Sequence, residues 1–304
     1  MAGKESIPGD VQRLLTQLMR QVPQGSKGSG LTIPPEFFKG EGYGQGYINV
    51  IQQLIYFFNN VPVRDYLIQK CLNDHPGSGC QYMGTFFVSE QDDDSHVLVL
   101  DKDHHKGEMK TWAEILKHRF SILKNPQNIK TLFTLAILYD GSAIHFVSFM
   151  YDPATKTLVS FDPGYNLYQN GSRVLIPNCI DRFVKMKLIP NQDAYKKTGP
   201  CQNFFFGRKY GVQYNGSDPE TTTLPADAFC QSWSLFFVMK TIENRGDTLF
   251  VKKWCKIKPG ERKAFIMKEF FIPNLRESFL MNKFREDNGH KSVSKLLQEF
   301  KTYK

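Results

Sequence analysis

Two β-rich runs joined by a short turn constrain this chain more than any other stretch. Residues 143–151 (AIHFVSFMY) and 157–163 (TLVSFDP) are dense in β-branched and aromatic types. Between them, Asp152-Pro153-Ala154-Thr155 puts a proline at the second position of a type I turn, where its fixed φ is already correct. A loop of those four residues predicts an antiparallel hairpin in which Tyr151 faces Lys156, Phe149 faces Leu158, Val147 faces Ser160 and His145 faces Asp162. Facing residues on such a pair share one side of the sheet, with Cβ atoms about 4.5 to 5.5 Å apart. That separation lets an imidazole bond to a carboxylate, which fixes its tautomer and favours its charged form. A loop longer or shorter by one residue would move one partner to the opposite face.

A second local signal is a cysteine ahead of an apolar run. After the turn-like Leu224-Pro225-Ala226, the segment from Cys230 to Thr241 carries Trp233, Leu235, Phe236, Phe237, Val238 and Met239, which predicts a buried helix. Asp227 is the expected N-cap, which puts Cys230 in the first turn. Unspent backbone N–H groups and the positive end of the helix dipole stabilise negative charge there, on a sulfur or on an oxyanion. A cysteine alone before an apolar helix is most often a small core residue, and a histidine alone on a strand is most often structural. A paired His and Asp together with a helix-leading Cys form the pattern of an activated thiol nucleophile.

The run from His145 through Asp152-Pro153 and Thr155-Lys156 to Phe161-Asp162-Pro163-Gly164-Tyr165 resembles the histidine hairpin of adenain, the adenovirus maturation protease. Adenain is of the same clan as the SUMO-specific cysteine proteases. The clan's order along the chain, His, then Asp, Asn or Glu, then Cys at a helix start, is the order found here over roughly residues 140–245. The resemblance implies His145 as general base, Asp162 as the residue that orients it, and Cys230 as nucleophile with its own N–H in the oxyanion hole. The clan has Gly after the nucleophile, whereas Gln231 stands here, and Cys230-Gln231-Ser232-Trp233-Ser234 resembles protease-like proteins of large DNA viruses. For the oxyanion-hole Gln, which the clan keeps six or seven residues before the Cys, this chain has Thr222-Thr223-Leu224. Gln213 is the candidate for that role, 17 residues upstream, with Gln202 and Gln231 as alternatives.

The expected architecture is α+β: a central mixed sheet containing the hairpin, packed on the helix headed by Cys230. The expected division is an N-terminal arm and linker over 1–32, a protease-like domain over 33–244 and a basic, mainly helical region over 245–304. In the arm, Asp10 caps a helix with Val11, Leu14, Leu15, Leu18 and Met19 at helical spacing, before the linker Gln24-Gly-Ser-Lys-Gly-Ser-Gly. Residues 45–72 predict a core helix with Ile48, Ile51, Leu54, Ile55, Phe57 and Phe58, broken near Pro62. Strands are expected at Gly84–Ser89, Val97–Leu100 and Leu132–Tyr139.

Charge is concentrated at one end. Residues 245–304 hold 15 Lys and Arg against 7 Asp and Glu, a surplus of 8 in a chain whose net charge is +9. Trp254, Phe265, Phe270, Phe271, Phe279, Phe284, Phe300 and Tyr303 are interleaved with those charges. The plain interpretation is a helical region with a solvated basic face. The sharper one is contact with nucleic acid or an acidic partner, and adenain-like proteases use DNA as guide and cofactor, so the resemblance implies a DNA or peptide activator. No cofactor motif is present: the glycines of Gly40–Gly46 lack the strand and the Lys-Ser/Thr of a phosphate loop.

The acidic and histidine-rich run from Asp92 to His105 is not expected to hold a metal, because the apolar Val97–Leu100 separates its ends. Cys71, Cys80, Cys179, Cys201, Cys230 and Cys255 are irregularly spaced without C-x-x-C, which indicates neither a zinc site nor a disulfide framework and suits a reducing cytosol. Asn170-Gly-Ser and Asn215-Gly-Ser are expected as turns. No run reaches the roughly 18 apolar residues of a membrane span, and the first residues lack a hydrophobic signal region.

The function expected is thiol-dependent peptide or isopeptide hydrolysis in the maturation of a large DNA virus. The substrate would be a protein, either a structural precursor or a ubiquitin-like conjugate, in host cytoplasm, viral factory or virion. The alternative is a catalytically silent virion structural or nucleic-acid-associated protein that keeps the fold. Oligomeric state has no sequence signal.

Overall fold

In the computed structural model, residues 61–89, 97–99, 128–139, 144–164, 171–198, 201–202, 209–213, 229–258 and 261–271 are described, together with 273, 274, 278, 281 and 284. Helix α1 (Val61–Asp74) opens this part of the chain. Pro62 is the second residue of this described helix, and the break expected near it is bounded on one side by residues outside the described ones. The rest of the 45–72 helix, the 1–32 arm and most of the Asp92–His105 run lie outside the described residues.

The sheet is built from β1 (Cys80–Ser89), β2 (Val97–Val99), β3 (Thr131–Tyr139), β4 (Ile144–Asp152), β5 (Thr157–Phe161) and β6 (Tyr195–Thr198). Among the described residues it is mixed and six-stranded, in the order β2-β1-β3-β4-β5-β6. The β1–β3 and β5–β6 pairs are parallel and the others antiparallel. Strands β3 and β4 are nearly continuous apolar runs because both of their faces are covered.

The hairpin register differs from the expected one. Asp152 faces Thr157, Tyr151 faces Leu158, Phe149 faces Ser160 and Ser148 faces Phe161. Pro153 does occupy the second turn position, but Asp152 is at once the last strand residue and the first turn residue. Its Oδ1 accepts from the Ala154 and Thr155 N–H groups at 2.8 and 3.2 Å. Lys156 then adds a left-handed residue (φ 52°) before the partner strand begins. The pairing is therefore moved by two residues, which preserves which side chains share a face.

One face of the sheet is covered by α2 (Gly171–Lys185), where Ile176, Cys179, Ile180 and Phe183 pack on Leu132, Val147, Phe149, Tyr151 and Leu158. The residues Gly171-Ser172, expected as part of a turn, open this helix, and Pro177 is carried on its exposed side. The other face is covered by α3 (Cys230–Glu243), against which α1 packs from the side. Phe161 of β5 stacks on Phe237 of α3 with ring centroids 4.3 Å apart.

A short hairpin of β7 (Cys201–Gln202) and β8 (Lys209–Tyr210) precedes α3, and α4 (Phe250–Lys256), α5 (Arg262–Ile266) and a π-turn over Met267–Phe271 follow it. Trp254, Phe270, Phe271 and Phe284 are buried in the same core cluster as α1 and α3. Trp254 stacks on Phe236 at 4.9 Å, so these tail aromatics are spent on packing and not displayed among the basic residues. No helix among the described residues is long and apolar enough to cross a membrane.

Candidate active site at the head of helix α3

The site begins with the order of two hairpin strands. His145 is the second residue of β4 and Asp162 follows the last residue of β5, so both stand at one end of the sheet. By the observed register they are diagonal neighbours and not the directly facing pair that was expected; diagonal positions lie within reach of longer side chains. The imidazole Nε2 lies 2.7 Å from Asp162 Oδ1, with both side chains buried. The same Oδ1 accepts from the Gly164 N–H at 2.9 Å, which fixes the carboxylate from its own loop. Committing Nε2 to Asp162 leaves Nδ1 as the nitrogen available to a thiol.

Helix α3 is placed against β4 by two reciprocal bonds. The Ser148 hydroxyl donates to the Ser234 carbonyl at 2.9 Å, and the Ser234 hydroxyl donates to the Phe146 carbonyl at 3.1 Å. Cys230 lies four residues before Ser234 and therefore on the same face of the helix, one turn nearer its start. That face places Cys230 in a cluster with Phe146 and Ile137, within hydrogen-bonding reach of His145. The helix starts at Cys230 itself, with Phe229 in the N-cap position and no side-chain cap; the expected cap, Asp227, lies outside the described residues. The first closed helical bond, Trp233 N–H to Phe229 carbonyl at 2.9 Å, leaves the earlier N–H groups of the turn outside the helical ladder.

Electrostatics tie the three side chains into one unit. Burial on its own lowers the His145 pKa, but the Asp162 charge and hydrogen bond, with a hydrogen bond and charge from Cys230, outweigh it and push the value up to about 10. His145 is then an imidazolium at neutral pH, held between a carboxylate and a sulfur. Cys71 and Cys179 differ: burial pushes each up to about 12.

Gln213 is brought to the same end of the sheet. Its backbone N–H donates to the Pro163 carbonyl at 2.9 Å, one residue beyond Asp162, and its side chain is buried. A Cβ at Gly211 would overlap that Pro163 carbonyl, so only glycine allows the 211–213 segment to lie this close. The segment is clamped from the other side by the buried Arg262, whose Nη1 donates to the Gly211 and Val212 carbonyls at 3.2 and 3.4 Å. Its Nε and Nη2 donate to the Ile257 and Cys255 carbonyls at 3.1 and 3.4 Å. A disulfide joins Cys201 to Cys255, against the expectation that no such bond was indicated; a pairing separated by 54 residues leaves no local spacing pattern.

Of the alternatives to Gln213, Gln231 is buried in the first turn of α3, and Gln202 ends β7. Arg64 of α1 is buried too, its guanidinium 5.6 Å over the ring of Phe146. Sequence reasoning missed Ser148, Ser234, Gly211, Arg64 and Arg262. Arg262 alone had a signal, as a cation in a segment otherwise rich in core aromatics.

No family model matches the chain, and no curated protein does. Among solved structures it is similar to one described as SUMO protease Ulp1 with the catalytic cysteine oxidized to a sulfenic acid, at 8% identity and a TM-score of 0.29, over 90% of this chain and 99% of that one. A TM-score of that size adds nothing to what the geometry of the site supports by itself.

Proposed function

We propose that the protein is a cysteine peptidase or isopeptidase with Cys230 as nucleophile, His145 as general acid and base, and Asp162 as the group that orients and charges His145. The observation that carries this reading is the buried imidazole bonded to Asp162 at 2.7 Å and coupled to the sulfur of Cys230, which stands at the first residue of a helix. Sulfur attacks the scissile carbonyl carbon, and the oxyanion so formed is held by first-turn N–H groups of α3 and the Gln213 amide. The His145 imidazolium gives its proton to the leaving nitrogen as the C–N bond breaks. Neutral His145 then takes a proton from water, whose oxygen attacks the thioester carbon. The product leaves as the carboxylic acid, which gives its proton to solvent, and the Cys230–His145 pair is restored for the next cycle.

The substrate class in this reading is a protein, a virion precursor or a ubiquitin-like conjugate, as the hairpin resemblance implies; the Cys201–Cys255 disulfide speaks against the reducing setting expected from the cysteine spacing. A DNA or peptide activator would use the basic face of 245–304. Turnover of a peptide library and of ubiquitin-like reporter substrates by the purified chain, with and without DNA, tests these assignments. Cys230→Ala is expected to abolish cleavage, and cleavage that survives the change removes the thiol from the mechanism.

A further inference from the structure

Helices α1 and α3 run side by side, and their C-terminal ends meet around Cys71. Cys71 lies one turn before the end of α1, His75 follows that helix, and Glu243 is the last residue of α3. One potential ligand atom from each, the Cys71 sulfur, an imidazole nitrogen and a carboxylate oxygen, lies within 4.8 Å of the other two. Four-coordinate zinc with one sulfur and two lighter ligands sets neighbouring donors about 3.5 Å apart. A contraction of about 1 Å, available through the side-chain torsions of Glu243 and His75, closes the set around an ion.

A second observation points to a cation at the same place. Both helices direct their negative dipole ends there, and the Met239 carbonyl lies 3.5 Å from the Cys71 sulfur, which donates to it. Four charged side chains surround the thiol. Lys70 pairs with Asp74 at 2.8 Å and Lys240 pairs with Glu243 at 2.6 Å, so the carboxylates are already compensated by ammonium groups that an ion could displace. Lys240 is the direct competitor, since it occupies the carboxylate an ion would take.

We propose that Cys71, His75 and Glu243 form a divalent-metal site of the zinc class, with water as fourth ligand, that clips the end of α1 to the end of α3. Thiolate, imidazole and carboxylate together select zinc over magnesium or calcium, which take oxygen ligands. Binding releases the Cys71 proton to solvent and frees Lys240 from Glu243. The site lies about 20 Å along α3 from Cys230, at 1.5 Å per residue, and is independent of the chemistry proposed there.

The test is titration of the full-length Cys230→Ala chain with Co2+, followed by competition with Zn2+. The Cys230→Ala background removes the Cys230–His145 pair, which could also trap metal. The proposal expects one equivalent of Co2+ with a thiolate-to-metal charge-transfer band. That band should vanish in Cys71→Ser, and affinity should fall at least about 10-fold in His75→Ala and Glu243→Gln. Lys240→Gln, which removes the competing ammonium, is expected to tighten binding several-fold, so the series does not depend on losses alone. Absence of the band in the parent overturns the site, as does its persistence in Cys71→Ser or an affinity unchanged by His75→Ala.

Discussion

Oδ1 of Asp162 accepts two hydrogen bonds, from His145 Nε2 and from the Gly164 N–H, so its charge is both oriented and held in place. Asp162→Asn keeps the shape and removes the charge. It is expected to lower kcat/KM by about 10²- to 10⁴-fold and to shift the alkaline limb of its pH profile downward, because the carboxylate is a main cause of the raised His145 pKa. A pH–rate profile whose alkaline limb is unmoved would contradict that role. Stability follows the same group. His145 has its pKa raised from 6.5 to about 10, so its contribution is fully present below pH 6.5 and is lost as pH rises towards 10. Thermal melts of wild type and His145→Gln should therefore converge over that window. The contact of His145 with Asp162 was legible in the sequence even though the register was not. A shift of two residues keeps a shared face, and an imidazole is long enough to span the diagonal.

At the scale of elements, two serine hydroxyls seat helix α3 on strand β4 and thereby set Cys230 beside His145. Ser148→Ala and Ser234→Ala each leave a buried carbonyl short of a donor, at an expected cost of about 1 to 3 kcal/mol. The double variant should cost less than the sum, since both bonds hold the same pair of elements. Urea unfolding measures each value, and strict additivity would show that the two bonds are independent. Arg262 plays the corresponding part for the 211–213 segment. Arg262→Met is expected to lower kcat more than Cys230 alkylation rate, because it loosens Gln213 and leaves the thiol pair in place. Helix α3 could be read from its apolar run and β3, β4 and β5 from their residue types. Helix α2 could not, because Asn170-Gly-Ser at its head and Pro177 inside it are turn signals overridden by the packing of Ile176, Ile180 and Phe183. The serine bonds span 86 and 88 residues, and no local pattern encodes such a pairing.

For the whole molecule, the sheet is enclosed by α2 on one face and by α1, α3 and the aromatic segment 250–284 on the other. The disulfide between Cys201 and Cys255 ties the strand pair leading to Gln213 to that aromatic segment. Closing a loop of 54 residues contributes about 4 kcal/mol in the chain-entropy account. The Cys201→Ser/Cys255→Ser chain should unfold at correspondingly lower urea in non-reducing buffer, and reductant should lower wild type to the same level. Equal midpoints for wild type with and without reductant would show that the bond is not a stabilising link. The charge surplus of 245–304 was plain in the composition, but the place of Trp254, Phe270, Phe271 and Phe284 in the core depended on contacts with α3, which no tail sequence reveals.

In the proposed reaction Cys230, positioned beside His145 and Asp162, attacks a carbonyl carbon. Incubation of the purified chain with peptidyl and ubiquitin-like probes carrying a C-terminal electrophile, followed by peptide mapping of the adduct, tests it most directly. A single adduct at Cys230 is expected, formed far more slowly in His145→Ala, with Cys71 and Cys179 unmodified. An adduct elsewhere, none at Cys230, or a rate unaffected by His145→Ala would contradict it.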